Sequence, residues 1–66
     1  MEPRYPEIHV RTCSRNPLTL VAAIREELRR ARAGEEEIRR FSRQALAGHG
    51  ATQIREVCRS WAVVER

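Results

Sequence analysis

The most regular pattern of hydrophobic and polar positions runs through residues 16–32. Apolar side chains recur there at alternating steps of four and three residues, which places them on one face of an α-helix. They are Pro17, Val21, Ile24, Leu28 and Ala31. Asn16 is a good N-cap, and Pro17 suits the first helical position because its missing N–H has no helical partner there. The pattern predicts an amphipathic helix that forms the hub of the core.

The same periodicity predicts two more helices. The glutamates at residues 35–37 favour a helix N-terminus because they face the positive end of the helix dipole, and Gly48 is a typical C-terminal stop. The apolar stripe of this second helix consists of Ile38, Phe41, Ala45 and Leu46. Thr52 is the predicted N-cap of a third helix, whose apolar face consists of Ile54, Val57, Cys58 and Trp61.

A period of two residues before the first helix predicts a short β-strand over residues 7–12. Its apolar side carries Ile8, Val10 and Thr12, and its polar side carries Glu7, His9 and Arg11. Residues 1–6 contain two prolines and are expected to form an extended lead-in. A single strand must pair with another strand of the chain or with a second copy. The segment Val63-Val64 is either a frayed helix end or a brief strand, and we favour the helix end.

These elements predict a mostly α fold in a single small domain over residues 1–66, with one short N-terminal strand followed by three amphipathic helices. A core of this size supplies about 3–5 kcal/mol, and small natural domains often gain stability from a partner subunit. We therefore expect self-association, as a homodimer, to complete the fold. The residues expected at that interface are Ile8, Val10, Trp61 and Val64.

The chain is basic, with a net charge of +4 carried by thirteen arginines and no lysine. Nucleic acid, an anionic membrane surface or an acidic protein could each bind such a chain. Nine glutamates are interleaved with the arginines, so a solvated, ion-paired surface is favoured over an anion-binding face. No signal peptide or membrane-spanning run is evident, which predicts a cytoplasmic protein whose cysteines, Cys13 and Cys58, are reduced thiols.

One stretch favours nucleic-acid binding as an alternative. Gly48 and Ile54 have the spacing of the turn glycine and the inward-facing aliphatic residue of a helix-turn-helix, although Gln44 and His49 depart from its pattern. The third helix would then act as a recognition helix, with Glu56 on the same face to repel phosphate. The candidate contacts are Arg55 and Arg59, supported by Arg39, Arg40 and Arg43.

Residues for metal binding or catalysis are few. Among His9, Cys13, His49 and Cys58, the pair His9-x3-Cys13 has a possible zinc spacing but lies in the predicted strand and loop, and His49-x8-Cys58 has no such spacing. The chain contains no aspartate. No nucleophile is accompanied by both a base and an orienting group. We expect no metal, no cofactor and no enzymatic activity.

Four short motifs carry a family resemblance. They are Tyr5-Pro6-Glu7-Ile8, Leu28-Arg29-Arg30-Ala31, Glu36-Glu37-Ile38-Arg39-Arg40-Phe41 and Trp61-Ala62-Val63-Val64-Glu65. In this order they resemble a group of small uncharacterised proteins of bacteria and their phages. That group keeps a glycine after the first helix and a Gly-Asp-Tyr turn after the second, where this chain has Arg32 and Gly48-His49-Gly50. The resemblance implies no activity and no site residues.

The sequence therefore predicts a small, non-catalytic interaction or regulatory module that self-associates and binds an unidentified protein partner. The alternative is a helix-turn-helix-like nucleic-acid-binding protein.

Overall fold

In chain order, three helices follow one short strand and precede another in the computed structural model, which describes residues 2–11 and 16–65. The chain order is β1 (Tyr5–Arg11), α1 (Pro17–Arg30), α2 (Glu35–Leu46), α3 (Ala51–Trp61) and β2 (Ala62–Glu65). The mostly α fold with a short N-terminal strand and three helices is confirmed. Strand β1 begins two residues before the predicted start, inside the expected lead-in, and the predictions for Thr12 and Cys13 lie outside the described residues.

The second strand corrects the sequence prediction, because Val63 and Val64 form β2 and not a helix end. β2 runs parallel to β1, with His9 opposite Val63 and Val10 opposite Val64. Helix α3 stops at Trp61 because Ala62 adopts an extended conformation, with φ −148° and ψ 164°. The β-branched valines then pack on a pleated surface, which suits them better than a helix does. The chain thus supplies its own partner for β1.

Helix α1 begins as its sequence predicts. The side chain of Asn16 accepts a hydrogen bond from the backbone N–H of Leu18 at 3.0 Å, and Pro17 occupies the first helical position. This cap satisfies one of the amides that the first helical turn leaves without an intrahelical partner.

Helix α1 ends in a left-handed turn at Arg32, which has a φ of 56°. The backbone N–H of Arg32 donates to the carbonyl oxygen of Arg29 at 3.1 Å, and that of Ala33 donates to Leu28 at 3.0 Å. These are the two hydrogen bonds of a Schellman motif, which normally has glycine at the left-handed position. The helix therefore ends at Arg30, so Ala31 is exposed and does not join the apolar face.

Helix α3 begins one residue before the N-cap that the sequence predicts, because Gly50, with a φ of 95°, takes the N-cap position in place of Thr52. The side chain of Gln53 accepts a hydrogen bond from the backbone N–H of His49 at 2.8 Å. Gly48 lies against the first turn of α3, since a Cβ atom built on it would come within 3.2 Å of Ile54 Cγ1. A close approach at Gly48 thus sets how α2 and α3 meet.

The core draws on every element. Most predicted face residues of the three helices are buried, whereas Pro17, Ile54 and Val57 are half-buried. Leu46 is exposed although its spacing placed it in the stripe of α2, and Leu20 is buried although it was not assigned to the face of α1. The buried hydrophobic side chains are Ile8, Val10, Leu20, Val21, Ile24, Leu28, Ile38, Phe41, Ala45, Cys58, Trp61 and Ala62. Leu46 lies in the last turn of α2, where no further element covers the helix end.

Candidate interaction surfaces

Trp61 anchors a cluster that ties the N-terminus to α2 and α3. Its indole Nε1–H donates to Gln44 Oε1 at 2.9 Å. The rings of Tyr5 and Phe41 lie against it, with ring centroids 6.0 Å and 5.5 Å from the Trp61 centroid. The guanidinium of Arg4 lies 5.1 Å from the same ring, within cation–π range. This arrangement shows that Trp61 is part of the core, and that the polar end of its ring is satisfied by Gln44.

Glu37 joins this cluster through one carboxylate oxygen. Glu37 Oε1 accepts a hydrogen bond from Arg4 Nε at 2.7 Å and another from the Tyr5 hydroxyl at 2.8 Å. The hydrogen bond from Tyr5, with help from Arg4, lowers the pKa of the Glu37 carboxyl. Burial, together with the bond to Glu37, raises the pKa of the Tyr5 hydroxyl. The charged carboxylate and the neutral phenol therefore stabilise each other and hold residues 4–5 against α2.

The residues expected at a subunit interface are largely covered by the chain itself. Ile8, Val10 and Trp61 are buried, whereas Val64 is half-buried. A second chain is not needed to remove the first three side chains from water, because the rest of the chain, including α2 around Trp61, already does so. An interface between copies must therefore use other groups.

The outer edge and the outer face of β1 are not among those buried side chains. Among the described residues the sheet has only β1 and β2. Tyr5 and residues 9–11 of β1 lie opposite β2, and the register shifts between Tyr5 and His9. Glu7, His9 and Arg11 point to the exposed face of the sheet. His9 Nδ1 lies 2.9 Å from Glu65 Oε1 on the neighbouring strand. This surface combines a strand edge that no other described strand pairs with and an exposed row of one acid, one histidine and one arginine.

Two exposed leucines lie on the helices. Leu18 in the first turn of α1 is 51% exposed, and Leu46 in the last turn of α2 is 62% exposed. Both positions lie at the ends of these helices that are away from the connection at residues 31–34.

The five candidate arginines do not share one surface. Helix α3 faces α2 across a shallow open groove lined by Gln44 and Ala47 of α2 and by Val57 and Ser60 of α3, among others. Arg55 and Arg59 each lie two positions from Val57, and are therefore turned about 200° away from it around the helix axis. They point away from α2.

The arginines of α2 diverge in the same way. Arg40 lies four positions before Gln44, on the groove side of α2, and its guanidinium is 3.8 Å from Glu37. Arg39 and Arg43 are turned about 140° and 100° away from Gln44, and Arg39 lies 4.0 Å from Glu35. Together with the opposite orientation of the α3 arginines, this divides the predicted contacts among several faces.

Metal-binding and reactive groups are dispersed. No group of three or more His, Cys, Asp or Glu side chains within residues 2–11 and 16–65 is arranged to hold a metal ion. Cys58 is a free thiol whose side chain is fully buried, and burial raises its pKa to about 11. A thiol with such a pKa is a poor nucleophile near neutral pH.

No helix in the described part of the chain is long and apolar enough to cross a membrane.

Comparisons with known proteins give no relatives: no protein-family model, no curated protein and no solved structure matches this chain. The resemblance to small bacterial and phage proteins therefore stays a prediction that rests on the four sequence motifs.

Proposed function

We propose that this chain is a non-catalytic interaction module that self-associates through the outer edge of β1. The observation that carries the proposal is the outer edge of β1: β1 pairs with β2 along one edge, and no third strand among the described residues pairs with the other. A strand edge with unpaired N–H and C=O groups is a ready template for another strand. The His, Cys and Glu side chains of the described residues are not gathered into a metal-binding group, which favours binding over catalysis.

The size of the sheet supports the same conclusion. Two strands alone are marginal in water, and here three helices stabilise them from one side only. Joining the β1 edges of two copies would produce a four-stranded sheet and would satisfy the open backbone groups. Leu18 and Leu46 would remain available on the helices for a further partner.

Sedimentation velocity over a concentration range of about 10 to 500 µM tests this proposal, because a weak edge interface gives a concentration-dependent mass. A shift from monomer to dimer mass is the expected result. A single monomeric species over the whole range would refute self-association.

Nucleic-acid binding is the second candidate, and one contact favours it. Gly48 packs against Ile54, the two residues whose spacing suggested a helix-turn-helix, and Arg59 is exposed on the side of α3 that faces away from α2. The divided arginines oppose it. Adding duplex DNA at about 50 mM and about 200 mM salt separates the candidates, since phosphate-dominated binding weakens steeply with salt. A complex at the lower salt that is lost in Arg59→Ala would favour this second candidate.

A further inference from the structure

The exposed and buried positions of β1 have an internal symmetry over residues 7–11. Ile8 and Val10 are buried on the helix side, while Glu7, His9 and Arg11 are exposed on the other. His9 is the centre of this symmetry: Glu7 lies two residues before it and Arg11 two residues after it, with Ile8 and Val10 in between. In an antiparallel pair of identical strands, the acid of each strand can therefore lie opposite the base of the other.

Only some antiparallel registers keep the buried side chains of both copies on one face, because a slip by one residue turns a strand over. A register centred on Ile8 places Glu7 opposite His9 of the second copy, and one centred on Val10 places His9 opposite Arg11. The register centred on His9 places Ile8 opposite Val10 and Glu7 opposite Arg11. By twofold symmetry the Glu7–Arg11 pair then forms twice.

The contacts within the chain leave the side chains of Glu7 and Arg11 available to a second copy. Glu65 stands opposite Arg11 in the parallel pair, but its carboxylate is 2.9 Å from His9 Nδ1. Neither Glu7 nor Arg11 forms an ion pair with another described residue. Pro6 lacks an N–H and so limits further pairing toward the N-terminus.

We propose that two copies of this chain join along β1 in an antiparallel register centred on His9, with Glu7 of each copy opposite Arg11 of the other. This inference rests on the proposed self-association and specifies its geometry. Directly opposed side chains in such a pair have Cβ atoms about 4.5–5.5 Å apart. The result is a continuous four-stranded sheet in the order β2-β1-β1-β2, with one face covered by the helices of both copies.

Charge exchange tests the register. Glu7→Arg places two arginines opposite each other twice per dimer, and Arg11→Glu does the same with two glutamates. Each single variant is expected to dimerise about tenfold more weakly than the unmodified chain, since opposed like charges destabilise strand pairs. The double variant, which again opposes Arg and Glu, should recover dimerisation. An equimolar mixture of the two single variants should form a heterodimer, because both of its pairs are then complementary.

Matched controls separate this register from a general charge effect. Glu56→Arg and Arg59→Glu make the same changes in charge on α3, and both are expected to leave the dimer constant within about twofold. Circular dichroism checks that every variant is folded. If the single variants dimerise as well as the unmodified chain, or if the mixture forms no heterodimer, the register is wrong even though self-association stands. If the unmodified chain is monomeric, the proposed function and this inference both fail.

A cross-link gives an independent measure of the same register. His9→Cys, in a Cys13→Ser background, places two thiols opposite each other at the twofold axis, within reach of a disulfide. Glu7→Cys in the same background is the control, since its partner position is Arg11. Under mild oxidation the His9→Cys dimer should form about tenfold faster. Equal rates, or faster linkage of Glu7→Cys, would overturn the register.

Discussion

Arg32→Gly is expected to stabilise the protein, although it removes a side chain from a small domain. Arg32 is the one non-glycine residue with a positive φ among the described residues, and its φ of 56° lies in the left-handed region. The L-side chain crowds the following carbonyl in that conformation. The two Schellman hydrogen bonds at the end of α1 involve only backbone atoms, with the N–H groups of Arg32 and Ala33 as donors, and can remain.

The expected gain follows from three contributions. Relief of the left-handed conformation is worth about 1–2 kcal/mol, and the greater chain entropy of unfolded glycine opposes it by about 0.5–1 kcal/mol. Loss of a positive charge near a helix C-terminus opposes it by about 0.3 kcal/mol. The net increase in the free energy of unfolding is about 0.5 kcal/mol, which raises Tm by about 2–4 °C in a domain of this size.

Urea denaturation followed by fluorescence of the buried Trp61 measures this change, and Arg32→Ala is the control. The alanine variant removes the same charge and keeps the strained backbone, so it should be slightly less stable than the unmodified chain. The reasoning is refuted if Arg32→Gly is no more stable than Arg32→Ala, because the left-handed turn would then carry no strain. A changed m-value would instead indicate an altered denatured state.

Two further predictions concern titratable groups. The pKa of Glu37 is lowered in the folded state, first by the Tyr5 hydrogen bond, so its stabilising effect is present above the ordinary value of 4.5 and is lost as the pH falls through the lowered pKa. Glu37→Gln should flatten the acid side of the stability curve, measured by thermal unfolding between about pH 2 and pH 7, and an unchanged curve would contradict this. Because burial raises the pKa of Cys58 to about 11, a Cys13→Ser variant should react with a thiol reagent at pH 8 far more slowly when folded than in urea. Equal rates would show that Cys58 is accessible.

Local sequence signals predicted the helices because each helix carries its own start, stop and period. The Asn16-Pro17 cap, the acidic first turn of α2 and the apolar steps of α3 require no knowledge of the rest of the chain. β2 could not be derived in this way. Its four residues continue directly from α3, and only the presence of β1 beside Val63 and Val64 makes the extended conformation favourable.

The interaction surfaces were harder to predict because they depend on how the elements face one another. Helical periodicity alone separates Arg55 and Arg59 from Val57, but it does not say which neighbour Val57 faces, and the divergence from the arginines of α2 follows only from that packing. The edge of β1 presents the opposite case. Once β2 occupies one side of the strand, the order of residues 7–11 determines which antiparallel partner matches, and that order is readable from the sequence itself. The edge of β1 that no described strand occupies, more than the number of arginines, is the reason that we propose a second copy of the chain as the partner.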